Sequence, residues 1–148
     1  MIVRGDIVRE VRSWIGTRYR HQGRVKGVGV DCIGLVGGVA LGVGVPNAAE
    51  WFADSNMHNY ARTPDRHMLT RACARFFDPI PVAAARAGDV LLFSLEGQPR
   101  HFAILVDEYR QRVVHAYALF AARRVVEQGL PIARASVIAA YCYKGVDA

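Results

Sequence analysis

Residues 27–46 read GVGVDCIGLVGGVALGVGVP, a glycine-rich loop that passes through an aspartate and a cysteine into an apolar run ending at a proline. Asp31 stands where a helix N-cap belongs, and a carboxylate there satisfies backbone N–H groups that the helix leaves unpaired. The run from Cys32 predicts a buried helix that stops before Pro46. Glycine costs about 1 kcal/mol relative to alanine in a helix, so Gly34, Gly37 and Gly38 imply a smooth face on which a sheet lies closely. Cys32 falls in the first turn, where unpaired N–H groups and the positive end of the helix dipole favour thiolate over thiol. That makes it a candidate nucleophile.

Working outward, Asp6 predicts the N-cap of a helix with Ile7, Val8, Val11, Trp14 and Ile15 on one face and Gly16 at its C-terminal cap. The polar loop TRYRHQGRVKGVGV (17–30) delivers the chain to Asp31. Downstream, TPDRHMLTRACARFF (63–77) predicts another helix with Leu69, Ala72, Cys73 and Phe76 on one side, which makes Cys73 a core residue. The pattern changes at ARAGDVLLFS (85–94). Short β-rich runs follow at Val90–Ser94, His101–Val106, Arg112–Tyr117, Arg123–Glu127 and Val137–Tyr143, separated by turn-like segments. Helices first and strands second imply an α+β fold, helices packed on an antiparallel sheet, with residues 1–148 as one domain.

Composition narrows the function classes. The chain has 148 residues, and 19 Lys and Arg against 13 Asp and Glu give a net charge of +6. The arginines are scattered, which suits a solvated basic surface or attraction to an anionic partner such as cell wall. No zinc-finger spacing, RNA-binding aromatic motif or basic helix stripe points to nucleic acid. The longest apolar stretch, Cys32–Val45, has 14 residues and is too short to cross a membrane. MIVRGDIVRE carries charges where a signal peptide needs an apolar core, so the expectation is synthesis in the cytoplasm without a secretory signal. The three cysteines are far apart and form no CxxC pair, so reduced thiols are expected.

Of the five histidines, His21, His58 and His67 lie in polar or irregular surroundings and read as surface residues. His101 and His115 each sit on a predicted strand. An odd-numbered hairpin loop puts them on one face, diagonal to each other; an even loop without a bulge puts them on opposite faces. With Cys32 they supply the parts of a cysteine-nucleophile site: His101 takes the thiol proton, His115 fixes its tautomer, and the Cys32 N–H donates to the oxyanion. Two core histidines would need no such partner. The same three side chains also have the chemistry to hold zinc. Gly27, Gly29 and Gly34 do not complete a GxGxxG spacing for a dinucleotide.

The segments RYRHQG, GVDCIGLV, AGDVLLF, RHFAILV and VVHAYA, in this order, resemble the NlpC-type cell-wall peptidases, papain-like cysteine hydrolases that cut peptidoglycan stem peptides. The resemblance runs from Trp14 to the last strand and is nearest to the compact branch encoded with phage tails and gene transfer agents. It implies Cys32 as nucleophile, His101 as base, His115 as the residue that orients it, and Tyr19 as a hydroxyl at the oxyanion site. It implies that Asp31, besides capping the helix, binds the free amine of the substrate. It also implies cleavage between D-glutamate and diaminopimelate through an acyl-enzyme without cofactor, and delivery to the wall in a phage-like particle whose other proteins would be partners. The family's usual serine after the cysteine is Ile33 here. Two other readings share these residues: a non-catalytic particle component, and a papain-like acyl transferase.

Overall fold

The computed structural model describes residues 1–53, 71, 73–95, 98–117, 123–132 and 135–147. A two-residue strand, β1 (Ile2–Val3), leads into α1 (Arg4–Arg12). Asp6 is not the N-cap expected above. Val3 holds that position, and the Asp6 carboxylate reaches back to accept a hydrogen bond from the Val3 N–H at 2.9 Å. It serves the same unpaired donors from the third helical position. Ile7, Val11 and Trp14 are buried, whereas Ile15 is 46% exposed, because the helix has already ended at the Ser13 C-cap. Gly16 is therefore not the cap; with φ at 93° it turns the chain one step later.

The polar loop contains a small antiparallel pair, β2 (Arg24–Val25) and β3 (Gly29–Val30), which delivers Asp31 to the start of α2 (Cys32–Val43). Helix α2 is buried from Cys32 to Ala40 and ends at Gly44, whose left-handed backbone closes it before Pro46, as the sequence predicts. Its glycines meet something other than a sheet. A Cβ on Gly37 would lie 2.2 Å from the Trp51 ring, one on Gly38 2.4 Å from Trp14, and one on Gly34 2.1 Å from the Gly23 carbonyl oxygen. Two indole rings and the polar loop press against the helix there, and the sheet takes a different face. Trp51 comes from α3 (Ala49–Ala53) and donates its indole N–H to the Ile33 carbonyl at 3.0 Å.

The helix expected over 63–77 lies mostly outside the described residues. Its described part, residue 71 and residues 73–76, is helical, and Cys73 is 1% exposed in the core. Next come β4 (Phe77–Ile80), a 3-10 turn at Val82–Ala84, β5 (Val90–Leu95), β6 (Gln98–Asp107), β7 (Arg112–Ala116), β8 (Val125–Gly129), β9 (Ala135–Tyr143) and β10 (Val146–Asp147). Six of them form one antiparallel sheet in the order β4-β9-β5-β6-β7-β8, and β1 pairs in parallel with β10. The sequence reading misses β4 because Asp78 and Pro79 argue against a strand. The structure puts it at the sheet edge, where a missing N–H is tolerated.

Alternation gives the sheet two apolar faces. Val90, Leu92, Phe102, Ile104 and Val114 pack with α1 and α2, while Leu91, Phe93, Ala103, Leu105, Val113 and Tyr117 form a second cluster on the far face with Ile132. The link between α1 and the sheet is ionic. Asp89, fully buried, accepts from Arg4 Nη1 at 2.5 Å and from the Arg86 N–H at 2.8 Å. Removing Asp89 leaves the Arg4 guanidinium, 17% exposed at its side chain, without its carboxylate, at a cost of about 3 kcal/mol. Asp89→Ala is expected to lose that much in urea unfolding, whereas Asp6→Ala, which removes the bond from the Val3 N–H and opens the exposed pair with Arg9, loses about 1 kcal/mol. A loss at Asp89 no larger than at Asp6 would contradict the anchoring role.

Candidate active site

Asp31 makes the junction on which Cys32 rests. Its Oδ1 accepts from the Gly34 N–H at 2.8 Å, the N-cap bond that the sequence predicts. Its Oδ2 accepts from the Gln22 N–H at 2.8 Å, tying the polar loop to the helix start. The side chain is buried, with Asp31 only 3% exposed. Tyr19 is half-buried against the core and is held by its backbone, through a bridge to Val30 and an N–H donated to the Arg123 carbonyl at 2.7 Å. Ile33 is buried, so the position next to the cysteine is given to packing.

His101 and His115 meet. Strands β6 and β7 pair Ile104 with Val114 and Leu105 with Val113, then shift register before Asp107 pairs with Arg112. The loop 108–111 is even, and this bulge restores the common face that an even loop would otherwise destroy. Continued to the strand end, the register sets position 117 opposite His101, so His115 lies on the diagonal. His101 Nε2 is 2.8 Å from His115 Nδ1, and the Tyr117 ring stacks on His101 with centroids 4.7 Å apart. On the next strand His115 Nε2 is 2.7 Å from Gln128 Oε1. Gln128 is not among the site residues that the sequence names. The alternation of Val126 and Gln128 along β8 is the signal that could have found Gln128, since β8 pairs Val113 with Gln128 and His115 with Val126.

Cys32 opens α2 as expected, but its chemistry differs from the thiolate predicted from the helix dipole. Burial, and after it the neighbouring Asp31 carboxylate, push the thiol up to about 12, against a downward pull from backbone N–H groups that include Phe102. Desolvation outweighs the dipole here. His101 is held well below its ordinary 6.5, by burial first and by His115 second. Burial also lowers His115, opposed by the bond to Gln128. These shifts favour a neutral thiol and neutral imidazoles.

The structure brings Cys32 to the backbone of Phe102, the next residue after His101. Phe102 points to the α2 side of β6, and His101 shares the far side with Phe93. The β5–β6 ladder shifts register between Phe93, which pairs with His101, and Ser94. Among the described residues no hydrogen bond yet joins the thiol to the imidazole. As metal ligands the two histidines are poorly disposed, since one nitrogen of each is committed to the other, and no group of three donors among the described residues fits a metal ion. His58 and His67 lie outside the described residues.

No family model and no curated protein matches the chain. Solved structures do. The NlpC/p60 domain of the peptidoglycan hydrolase SagA aligns with TM-score 0.61 and 21% identity over 95% of this chain and 98% of that one. An NlpC/P60 family protein from Bacillus cereus aligns with TM-score 0.66 and 18% identity, and NlpC1 from Trichomonas vaginalis with 0.66 and 16%. This chain spans 40% and 44% of those two. At such identities the likeness establishes the fold, a papain-like helix-and-sheet arrangement shared with NlpC/p60 domains.

A neutral, buried thiol has a pH signature. Iodoacetamide labelling of Cys32, followed by peptide mapping, is expected to stay slow at neutral pH and to climb roughly tenfold per unit through pH 8–10, as the thiolate fraction does below its pKa. A plateau reached below pH 7 would mean a preformed thiolate and contradict the neutral pair.

Proposed function

We propose that the protein is a peptidoglycan hydrolase, a thiol endopeptidase that cuts stem-peptide amide bonds. The observation that carries the reading is the 2.8 Å bond between His101 and His115 on β6 and β7, with Cys32 at the start of α2 meeting the backbone of the residue next to His101, on an NlpC/p60 fold. In the reaction proposed, His101 Nδ1 takes the Cys32 proton as Sγ attacks the scissile carbonyl. The tetrahedral oxyanion accepts from the Cys32 N–H and from the Tyr19 hydroxyl. Collapse breaks the C–N bond, and His101 returns the proton to the leaving amine. Water then attacks the thioester, gives its proton to His101, and releases the acid with the thiol restored.

A neutral thiol suits general-base catalysis in which the proton moves only once the carbonyl is in place, and bringing thiol and imidazole together is then part of substrate binding. The resemblance supports the bond between D-glutamate and diaminopimelate as the target, and a phage-tail or gene-transfer-agent particle as the vehicle that carries the domain to the wall. Asp31 as an amine ligand has to act while capping α2, and without the hydroxyl that Ile33 replaces. Acyl transfer uses the same acyl-enzyme with an amine in place of water. One observation favours the non-catalytic reading, a particle component: Cys32 is only 9% exposed and carries a thiol that resists ionisation.

Mass spectrometry of purified peptidoglycan after incubation separates these. Wild-type protein is expected to release new stem-peptide fragments, and Cys32→Ala none while keeping its fold. Because burial holds His101 below 6.5, the acid limb of kcat/KM is expected below pH 6.5. Fragments from the Cys32→Ala protein would remove the nucleophile; no fragments from either protein would favour the particle component.

A further inference from the structure

We propose that Gln128 is the positioning residue that sets the protons of the histidine pair, its side-chain oxygen keeping one proton on His115 Nε2 and thereby leaving His101 Nδ1 free to act as base. The inference deepens the hydrolase reading of this site and rests on it only for its catalytic consequence.

Donors and acceptors fix the tautomers. The amide oxygen of Gln128 only accepts, and it lies 2.7 Å from His115 Nε2, so that nitrogen carries the proton. A neutral imidazole has one donor and one acceptor nitrogen, which makes His115 Nδ1 an acceptor. It lies 2.8 Å from His101 Nε2, so His101 spends its single N–H there. His101 Nδ1 keeps its lone pair. Had the amide presented its NH2 group, each imidazole would carry its proton on the other nitrogen, and His101 would meet the thiol with an N–H that cannot take a proton.

The strand geometry makes this order repeatable. Gln128 pairs with Val113 and so lies diagonal to His115 across β7 and β8, just as His115 lies diagonal to His101 across β6 and β7. Two diagonal steps over three adjacent strands carry the proton arrangement from the half-buried Gln128 to the buried His101. Burial keeps both imidazoles neutral, the condition under which a tautomer is defined.

The test is 15N NMR of the imidazole nitrogens in wild type, Gln128→Glu and Gln128→Met, with activity measured beside it. In the wild type both histidines are expected to carry the proton on Nε2. Gln128→Glu keeps an acceptor and should keep both tautomers and rescue activity. Gln128→Met removes the acceptor, should let His115 populate both tautomers, and should lower kcat by roughly ten- to a hundredfold with KM little changed. A purely structural role would lower the melting temperature and leave the tautomers alone. A wild-type His115 protonated on Nδ1, or unchanged tautomers in Gln128→Met, would overturn the inference; should Gln128→Met not fold, the wild-type spectrum decides. The expected tautomers in a protein that cuts no peptidoglycan support this inference and count against the hydrolase reading instead.

Discussion

The buried carboxylate of Asp31 is the joint on which the site depends. One oxygen caps α2 through Gly34 and the other holds the polar loop through Gln22, so the loop that carries Tyr19 and the helix that carries Cys32 are fixed to a single side chain. Gly34 makes that union possible, because any side chain there would strike the Gly23 carbonyl. The same carboxylate raises the thiol pKa. Burial first and this charge second hold the nucleophile in its unreactive form, and a partner base has to do the activation.

That base belongs to a different layer. Helix α2 packs against the Phe102, Ile104 and Val114 face of the sheet, while His101, His115 and Tyr117 lie with the second apolar cluster on the far face. Such a network is shielded from water, and its hydrogen bonds polarise one another. It stays neutral, ordered and ready to accept one proton at one atom. The cost is reach: the thiol meets β6 at the Phe102 backbone, while the imidazole of the preceding residue lies with the far cluster.

The α+β fold was legible because its signals are local. Asp31 before an apolar run, Pro46 after it, and period-two runs from Val90 onward each name an element by themselves. Errors came where tertiary context decides. Asp6 looks like a cap from sequence alone, but β1 and its pairing with β10 start α1 earlier. The glycine face of α2 was read as meeting a sheet, whereas two tryptophans distant in sequence fill it. The thiolate expected at Cys32 followed from the helix dipole, which is local, and failed because burial, which is not local, is the larger effect. Alternation puts His101 and His115 on strands but leaves their common face open; the bulge that brings them together and the diagonal step to Gln128 depend on register, which no single sequence displays.

The central claim is that Cys32 and His101 form one reactive centre. The most direct measurement is a crystal structure of the protein with Cys32 alkylated by an iodoacetyl stem peptide. The account predicts His101 Nδ1 within hydrogen-bond distance of Cys32 Sγ or of the amide held at the cleavage point, with His101 still bonded to His115 and the peptide carbonyl near the Cys32 N–H and the Tyr19 hydroxyl. An adduct in which His101 stays on the far face of β6, out of reach of both sulfur and peptide, would contradict it.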